Sequence, residues 1–288
     1  MEMIDAKTKV CVLLGNPVEH SLSPLIHNAG FGELGINCVY VALRVKDADL
    51  ADAMRGIRAL NIRGASITIP HKVRALDHVD RVDALAEKIG SINTVVNDGG
   101  VLTGFNSDGM GALKAFRDYG VELENKRVLM VGAGGAARAI AFSLVANARL
   151  RELSIMGIVR EEVGELVDRL RETTESRIQG EAWGEEALRE RMAASEIVIN
   201  CTPVGMYPRT DEIPVPAGAL RKGMLVFDVV YNPAETKLLV DAARRGCDTI
   251  SGVDMFINQA AAQFELWTGK KAPVASMKKV VLDRLAKK

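Results

Sequence analysis

Four short polar clusters carry the side chains best suited to chemistry. Ser21-Leu22-Ser23-Pro24 offers two hydroxyls. Ser66-Ile67-Thr68-Ile69-Pro70-His71-Lys72 offers two more on one face of a strand, then an ammonium after a proline turn. Asn93-Thr94 and Asn106-Ser107-Asp108-Gly109 add amides and a carboxylate. Each cluster ends or follows an apolar run, where open α/β sheets place their ligands. Singly, they also fit ordinary turn chemistry: Pro24 suits the first helical position and Ser23 the N-cap, Asp108 alone reads as a helix cap, and Lys72 alone as a solvated lysine. Capping leaves Ser21 without a task. Taken together, hydroxyls, amide, ammonium and carboxylate suit a polyhydroxylated carboxylic acid.

A second motif points to a nucleotide. Arg127–Val131 reads as a buried strand and leads into Gly132-Ala133-Gly134-Gly135-Ala136-Ala137, with a helical pattern through Asn147. This is G-x-G-x-x-A in the required order of strand, turn and helix. Gly132 permits the turn, Gly134 lets backbone N–H groups approach a pyrophosphate, and Ala137 allows close packing of helix on strand. The next strand ends Gly157-Ile158-Val159-Arg160-Glu161-Glu162. An acid there would bind a ribose 2′-hydroxyl and an arginine a 2′-phosphate. Arg160 is a candidate for the second, but two acids come directly after it, and a solvated helix start fits all three as well.

The elements that must position these groups alternate along the chain. Strands are read at Val10–Gly15, Cys38–Leu43, Gly64–Ile69, Thr94–Asn97, Arg127–Val131, Glu152–Ile158, Ile197–Asn200, Leu225–Val229 and Asp248–Ser251. Helical patterns lie between them. The pattern predicts an α/β fold with largely parallel sheets, in two α/β domains. A boundary is expected across Gly109–Gly120, after the glycine-rich NDGGVLTGFNSDG and before the fresh strand of the glycine motif. The 288 residues are 48% hydrophobic, ample for a buried core at the length where chains divide. Lys+Arg and Asp+Glu both number 37, so no global field favours nucleic acid or an anionic membrane. Cys11, Cys38, Cys201 and Cys247 form no CxxC and read as thiols in a reducing compartment; no metal spacing is seen. With no leader-like start and no long apolar run, a cytoplasmic protein is expected.

The motifs in this order resemble the shikimate dehydrogenase family, which includes the quinate/shikimate dehydrogenases. The resemblance covers nearly the whole chain: S-x-S-P in Gly15–Pro24, T-x-P-x-K at Thr68–Lys72, G-x-x-N-T at Gly90–Thr94 and N-[ST]-D-G at Asn106–Gly109. It continues with GAGGAA at Gly132–Ala137, N-x-T-P-x-G-M at Asn200–Met206, Y-N-P-x-x-T at Tyr231–Thr236, and Gly252–Gln259 with Gln263 nearby. The resemblance implies an N-terminal substrate-binding domain (1–109 plus 256–288), a Rossmann NADP-binding domain (110–255), and a C-terminal helix returning to the first.

It further implies reversible NADPH-linked reduction of 3-dehydroshikimate to shikimate, in chorismate and aromatic amino-acid biosynthesis. Lys72 would polarise the ketone and pass the proton, and Asp108 would orient that ammonium. Ser21, Ser23, Ser66, Thr68, Asn93, Tyr231 and Gln259 would contact substrate. Gly132, Ala133, Gly134, Gly135, Ala136, Thr202, Val229, Gly252 and Met255 would line the cofactor, with Arg160 beside them. The partner is a small molecule, and the chain is expected to be a monomer or homodimer.

Two departures from the family pattern stand out. Ser66 occupies a position where the family strand carries Asn, and the N-R-[ST] element for the 2′-phosphate is missing near Gly157–Glu161. NADP is therefore implied by family habit, with NAD as the alternative. The nearest rival reading is a quinate/shikimate dehydrogenase accepting NAD. A methylenetetrahydrofolate dehydrogenase would share a related plan and a catalytic lysine, but gives no reason for S-x-S-P or N-[ST]-D-G. A non-catalytic nucleotide sensor would be marked by loss of Lys72 or Asp108, and both are present.

Overall fold

A computed structural model describes residues 4–287. The chain divides into two compact units, Met1–Gly111 with Ile257–Lys288, and Ala112–Phe256.

The first unit contains β1 (Lys9–Gly15), α1 (Ser23–Glu33), β2 (Cys38–Arg44), α2 (Leu50–Ala59), β3 (Gly64–Ile67), β4 (Arg81–Val82), α3 (Ala84–Ile89), β5 (Thr94–Asp98) and β6 (Val101–Phe105). It also holds the start of α4 (Asp108–Asp118). Its sheet runs β2-β1-β3-β5-β6-β4, with β5 antiparallel to both β3 and β6. The sheet is thus mixed. Apolar residues at alternate positions cover one face: Val12 and Leu14 of β1 and Ile67 of β3 join Met54 and Ile57 of α2 in one buried cluster. Local signals set the ends of α3. Asp83 caps it by accepting from the Leu85 and Ala86 amides, and Gly90, left-handed at φ 72°, stops it.

The segment NDGGVLTGF, which in sequence looks like a glycine-rich approach to a boundary, is a hairpin. Gly99 and Gly100, at φ 63° and 94°, make the two-residue turn between β5 and β6, a conformation that side chains resist. Ser23, a candidate cap of α1 by sequence, is instead its first helical residue. The flanking Leu22 makes no side-chain cap, and Pro24 lies within the first turn.

The second unit contains the rest of α4, then β7 (Arg127–Val131), α5 (Gly135–Asn147), β8 (Glu152–Gly157), α6 (Arg160–Arg171), β9 (Arg177–Ala182), α7 (Glu185–Ala194), β10 (Ile197–Asn200), β11 (Leu225–Asp228), α8 (Lys237–Arg244), β12 (Asp248–Ser251) and the start of α9 (Gly252–Thr268). All its strands are parallel, in the order β12-β11-β10-β7-β8-β9. Numbered within the unit that is 6-5-4-1-2-3, the doubly wound order whose reversal beside the first strand opens a crevice at the strand C-termini. Continuous apolar runs such as Val128–Val131 and Ile197–Ile199 are buried because helices cover both faces. The α/β class with parallel-rich sheets is as the sequence predicts. The remainder of α9 and α10 (Val274–Leu285) close the first unit, where Phe264 stacks on Phe31 of α1 at 5.2 Å. Among the described residues no helix is long and apolar enough to cross a membrane.

Candidate active site

In the first unit the polar clusters converge. Lys72 lies beyond β3 and Asp108 opens α4; Lys72 Nζ donates to Asp108 Oδ2 at 2.5 Å, with the side chains 20% and 10% exposed. The other carboxylate oxygen accepts from Asn93 Nδ2 at 2.7 Å. Asn93 also donates to Ser107 Oγ, and its own oxygen accepts from the Ser107 amide at 2.8 Å and from Thr94 Oγ1 at 2.7 Å. Asn106 Oδ1 in turn accepts from the Asp108 amide. The carboxylate therefore has a donor on each oxygen, one of them charged. Such bonds are shorter and stronger than neutral ones, so the orientation of the ammonium is set before any ligand arrives.

The turn bearing Lys72 is itself anchored by His71, a residue to which the sequence gives no role. Its buried ring donates from Nε2 to the Val45 carbonyl at 2.8 Å, and Asp47 Oδ1 lies 3.3 Å from Nδ1. From the other side the Ile92 amide donates to the Lys72 carbonyl at 2.9 Å.

Other expected substrate contacts fall into two groups. Ser21 and Ser23 meet through their hydroxyls at 3.1 Å, and Thr68 sits half-buried one residue past β3. Gln259, nearly buried on α9, accepts weakly from Ser107 Oγ at 3.4 Å and so borders the Asp108 cluster. Ser66 is engaged within the protein: it accepts from Tyr40 Oη at 2.7 Å and donates to Gln263 Oε1 at 2.9 Å. Gln263 Nε2 donates onward to the Asn93 carbonyl and Thr94 Oγ1. Burial raises the Tyr40 phenol above its ordinary range. It also pulls the His27 imidazole, stacked on Tyr40 at 4.5 Å, down to about 3. Tyr231 belongs to the second unit, where it stacks on Phe256 at 4.5 Å and burial pushes its hydroxyl up.

The expected cofactor residues line the C-terminal edge of the second unit's sheet. Gly132 follows β7 at φ 109°, and a side chain there would meet the Cys201 carbonyl group and Thr202 Cγ2 at 3.1–3.2 Å. Gly134 precedes α5, and a Cβ there would point into open space. Backbone thus packs close on one side and is bare on the other, which is what an incoming pyrophosphate at a helix N-terminus requires. Ala133 is buried, while Gly135 and Ala136 form the first turn of α5. Gly252 allows no side chain, because a Cβ would overlap the Val229 and Val230 carbonyls. Met255 lies buried one turn further on.

The loops after β10 and β11 are tied by a carboxylate outside the sequence motifs. Asp228 Oδ1 accepts from Asn200 Nδ2 at 2.9 Å and from the Val230 amide at 3.1 Å, and Oδ2 accepts from Thr236 Oγ1 at 2.6 Å. Asn200 Oδ1 holds the Thr202 amide and hydroxyl, while the Val229 amide donates to the Asn200 carbonyl. Burial raises Asp228 to about 6. Arg160 lies exposed at the first position of α6.

A doubly wound unit with a bare glycine turn, in one chain with a unit that presents an oriented ammonium, belongs to the α/β dinucleotide-linked class. Comparison with known proteins narrows this. Residues 13–95 match the family model of the shikimate dehydrogenase substrate binding domain, and residues 252–282 that of the shikimate 5'-dehydrogenase C-terminal domain. The chain is 44% identical to a shikimate dehydrogenase (NADP(+)) of Moorella thermoacetica over 99% of its own length and 96% of the relative's. Among solved structures it is similar to shikimate 5-dehydrogenase of Listeria monocytogenes in complex with shikimate and NAD. The TM-score is 0.91 at 37% identity, over 98% of this chain and 99% of that one. A shikimate dehydrogenase in complex with NADP+ gives the same TM-score at 38% identity, covering 98% of each chain. The chain belongs to the shikimate dehydrogenase family.

Proposed function

We propose that this protein catalyses the reversible reduction of 3-dehydroshikimate to shikimate with NADPH, in the cytoplasm and in the route to chorismate and aromatic amino acids. The observation that carries this reading is the Lys72–Asp108 pair, 2.5 Å apart and braced by Asn93. The unit at 1–109 and 256–288 takes the hydroxy acid, and the unit at 110–255 takes the dinucleotide. When bound, the nicotinamide supplies the hydride. Lys72 places a positive charge and a proton where negative charge develops on the ketone oxygen. Asp108 fixes the direction of that ammonium and leaves its own rim for a neighbouring substrate hydroxyl. Ser21, Ser23, Thr68, Asn93 and Gln259 bind the remaining hydroxyls and the carboxylate, and Tyr231 is a further substrate contact by its place in the family pattern. The protein acts on this small molecule as a monomer or homodimer.

One observation favours a second reading. Ser66 spends its hydroxyl on Tyr40 and Gln263, so substrate hydroxyl recognition at that strand differs from a site with an extended amide. Quinate is the related acid that would exploit the difference. The test is a steady-state assay of reduced nicotinamide, with shikimate and quinate each crossed against NADP and NAD. Turnover of shikimate with NADP and little or none of quinate supports the first reading; turnover of quinate as well as shikimate supports the second; none with either rejects both.

A further inference from the structure

A line of buried side chains runs behind the Lys72–Asp108 pair, wholly within the first unit. Tyr40 of β2, Ser66 of β3, Gln263 of α9, and Asn93 and Thr94 at the entry to β5 are each at most 5% exposed. Water cannot stand in for any of them, so each donor and acceptor depends on the next. α9 is seated on β5 at two points one turn apart: Gln263 Nε2 donates to the Asn93 carbonyl at 3.1 Å, and Trp267 Nε1 to the Val95 carbonyl at 3.0 Å. At its far end the line reaches the serine pair. Ser23, which Ser21 meets at 3.1 Å, lies on the Tyr40 phenol and opposes the rise that burial imposes there.

The protons in this line run in one consistent direction. The Tyr40 phenol gives its proton to Ser66 Oγ at 2.7 Å, and Ser66 gives its own to Gln263 Oε1 at 2.9 Å. Both Nε2 protons of Gln263 therefore face β5, one on the Asn93 carbonyl and one on Thr94 Oγ1 at 3.0 Å. Thr94, having accepted, has a single proton to give, and its nearest acceptor is Asn93 Oδ1 at 2.7 Å. That oxygen also takes the Ser107 amide proton. Asn93 Nδ2 is left to face Asp108 Oδ1 at 2.7 Å, while the other carboxylate oxygen holds Lys72 Nζ. Turning the Gln263 amide over would set two acceptors face to face at the Asn93 carbonyl and draw the Thr94 proton away from Asn93.

We propose that Gln263 and Tyr40 are positioning residues of this enzyme, acting without contact to substrate. Through Thr94 they fix which end of the Asn93 amide faces Asp108, and hence the direction in which Asp108 holds the Lys72 ammonium. Gln263 is the residue on which that direction turns, because it presents an acceptor to Ser66 and donors to β5. Tyr40 only starts the line, so its loss costs less. The proposal rests on the dehydrogenase activity proposed for this chain.

The experiment compares the parent with Gln263→Met, which fills similar space without the carboxamide, and with Tyr40→Phe. Trp267→Phe is the control: it removes a buried hydrogen bond from the same helix and leaves the line intact. The readouts are kcat and KM for shikimate, the denaturant midpoint, and the rate at which trace acetic anhydride labels Lys72, followed by peptide mass spectrometry. An ammonium held on Asp108 is slow to react, and one released from it is faster. Gln263→Met is expected to lower kcat by about tenfold or more with KM within a few-fold, and to label Lys72 several times faster than the parent. Tyr40→Phe lowers kcat by about threefold. Trp267→Phe lowers the midpoint and leaves kcat and labelling in place. Gln263→Met with the parent's kcat and labelling rate overturns the proposal, as does a Trp267→Phe enzyme that loses kcat to the same extent, for then the packing of α9 is the cause. If Gln263→Met does not fold, Thr94→Val breaks the line at its next link and carries the same expectation. Because labelling needs no turnover, faster labelling in Gln263→Met from a parent that does not oxidise shikimate would sink the dehydrogenase reading and leave the positioning of Lys72 standing.

Discussion

Two carboxylates, one in each unit, sit near the C-terminal ends of strands and differ in the company they keep. Asp108 has an ammonium on one oxygen and an amide on the other. Asp228, fully buried, has an amide, a backbone N–H and a hydroxyl, all neutral. A charged partner lets a carboxylate orient a group that meets substrate. Neutral partners let it bind loops together, at the cost of a raised affinity for its own proton. On the proposed reading, the type of partner, more than burial alone, separates Asp108 as a residue of the chemistry from Asp228 as a residue of the scaffold.

The sharpest way to test this contrast is to remove the ammonium. Lys72→Ala is expected to lower kcat by about 10³-fold while KM for shikimate changes only a few-fold. Turnover within a few-fold of the parent would remove Lys72 from the chemistry. Asp108→Asn keeps the shape and an acceptor but loses the charge that fixes Lys72. Here kcat is expected to fall on the order of 10²-fold, at the low end of acid–base contributions. An Asp108→Asn enzyme with the parent's kcat would reduce Asp108 to a helix-starting residue, and the contrast with Asp228 would vanish.

How much of this can be read from sequence differs between the two regions for a physical reason. The glycine turn after β7 is written locally, because Gly132 and Gly134 lie within three residues and their strand and helix flank them directly. Strands with mixed composition are harder. Arg177-Ile-Gln-Gly-Glu-Ala182 forms β9 at a sheet edge with one apolar residue fully buried, so no run announces it. In NDGGVLTGF the adjacent glycines Gly99 and Gly100 read as punctuation, when their left-handed turn is what joins β5 to β6. The Ser66–Gln263 bond spans 197 residues. No local pattern contains it, so a reading of the strand alone sends the Ser66 hydroxyl to substrate with Tyr40 and Gln263 out of view. Asp228 escapes notice because an aspartate ending an apolar strand resembles any turn residue; Thr236, eight residues on, is the available clue.

Asp228 allows the contrast to be tested by pH. Its carboxyl is raised from 3.8 to about 6 by burial, so folding favours the protonated form. Its stabilising contribution is therefore whole below the unfolded value and is lost as pH rises through the folded one. Asp228→Asn has no proton to lose. Between about pH 4 and pH 8 the stability of the Asn variant relative to the parent should therefore improve, by roughly 2–3 kcal/mol in denaturant titrations. A difference that stays constant across that range would mean that the neutral donors suffice to keep Asp228 ionised in the fold. It would then cease to differ from Asp108 in kind.

The smallest expected effect concerns Ser66, which stands between the two roles. If its hydroxyl serves mainly Tyr40 and Gln263, Ser66→Ala strands a buried phenol and a buried amide oxygen, costing about 1–3 kcal/mol of stability. Tyr40→Phe in the same background removes one of the stranded groups. The double variant should then lose less than the sum of the singles, with a coupling of about 0.5–1 kcal/mol in a double-mutant cycle. Additive losses, together with a rise of more than about tenfold in KM for shikimate, correspond to a substrate contact of roughly 1.4 kcal/mol. That outcome would move Ser66 from the scaffold to the ligand side, beside Asp108 and Lys72.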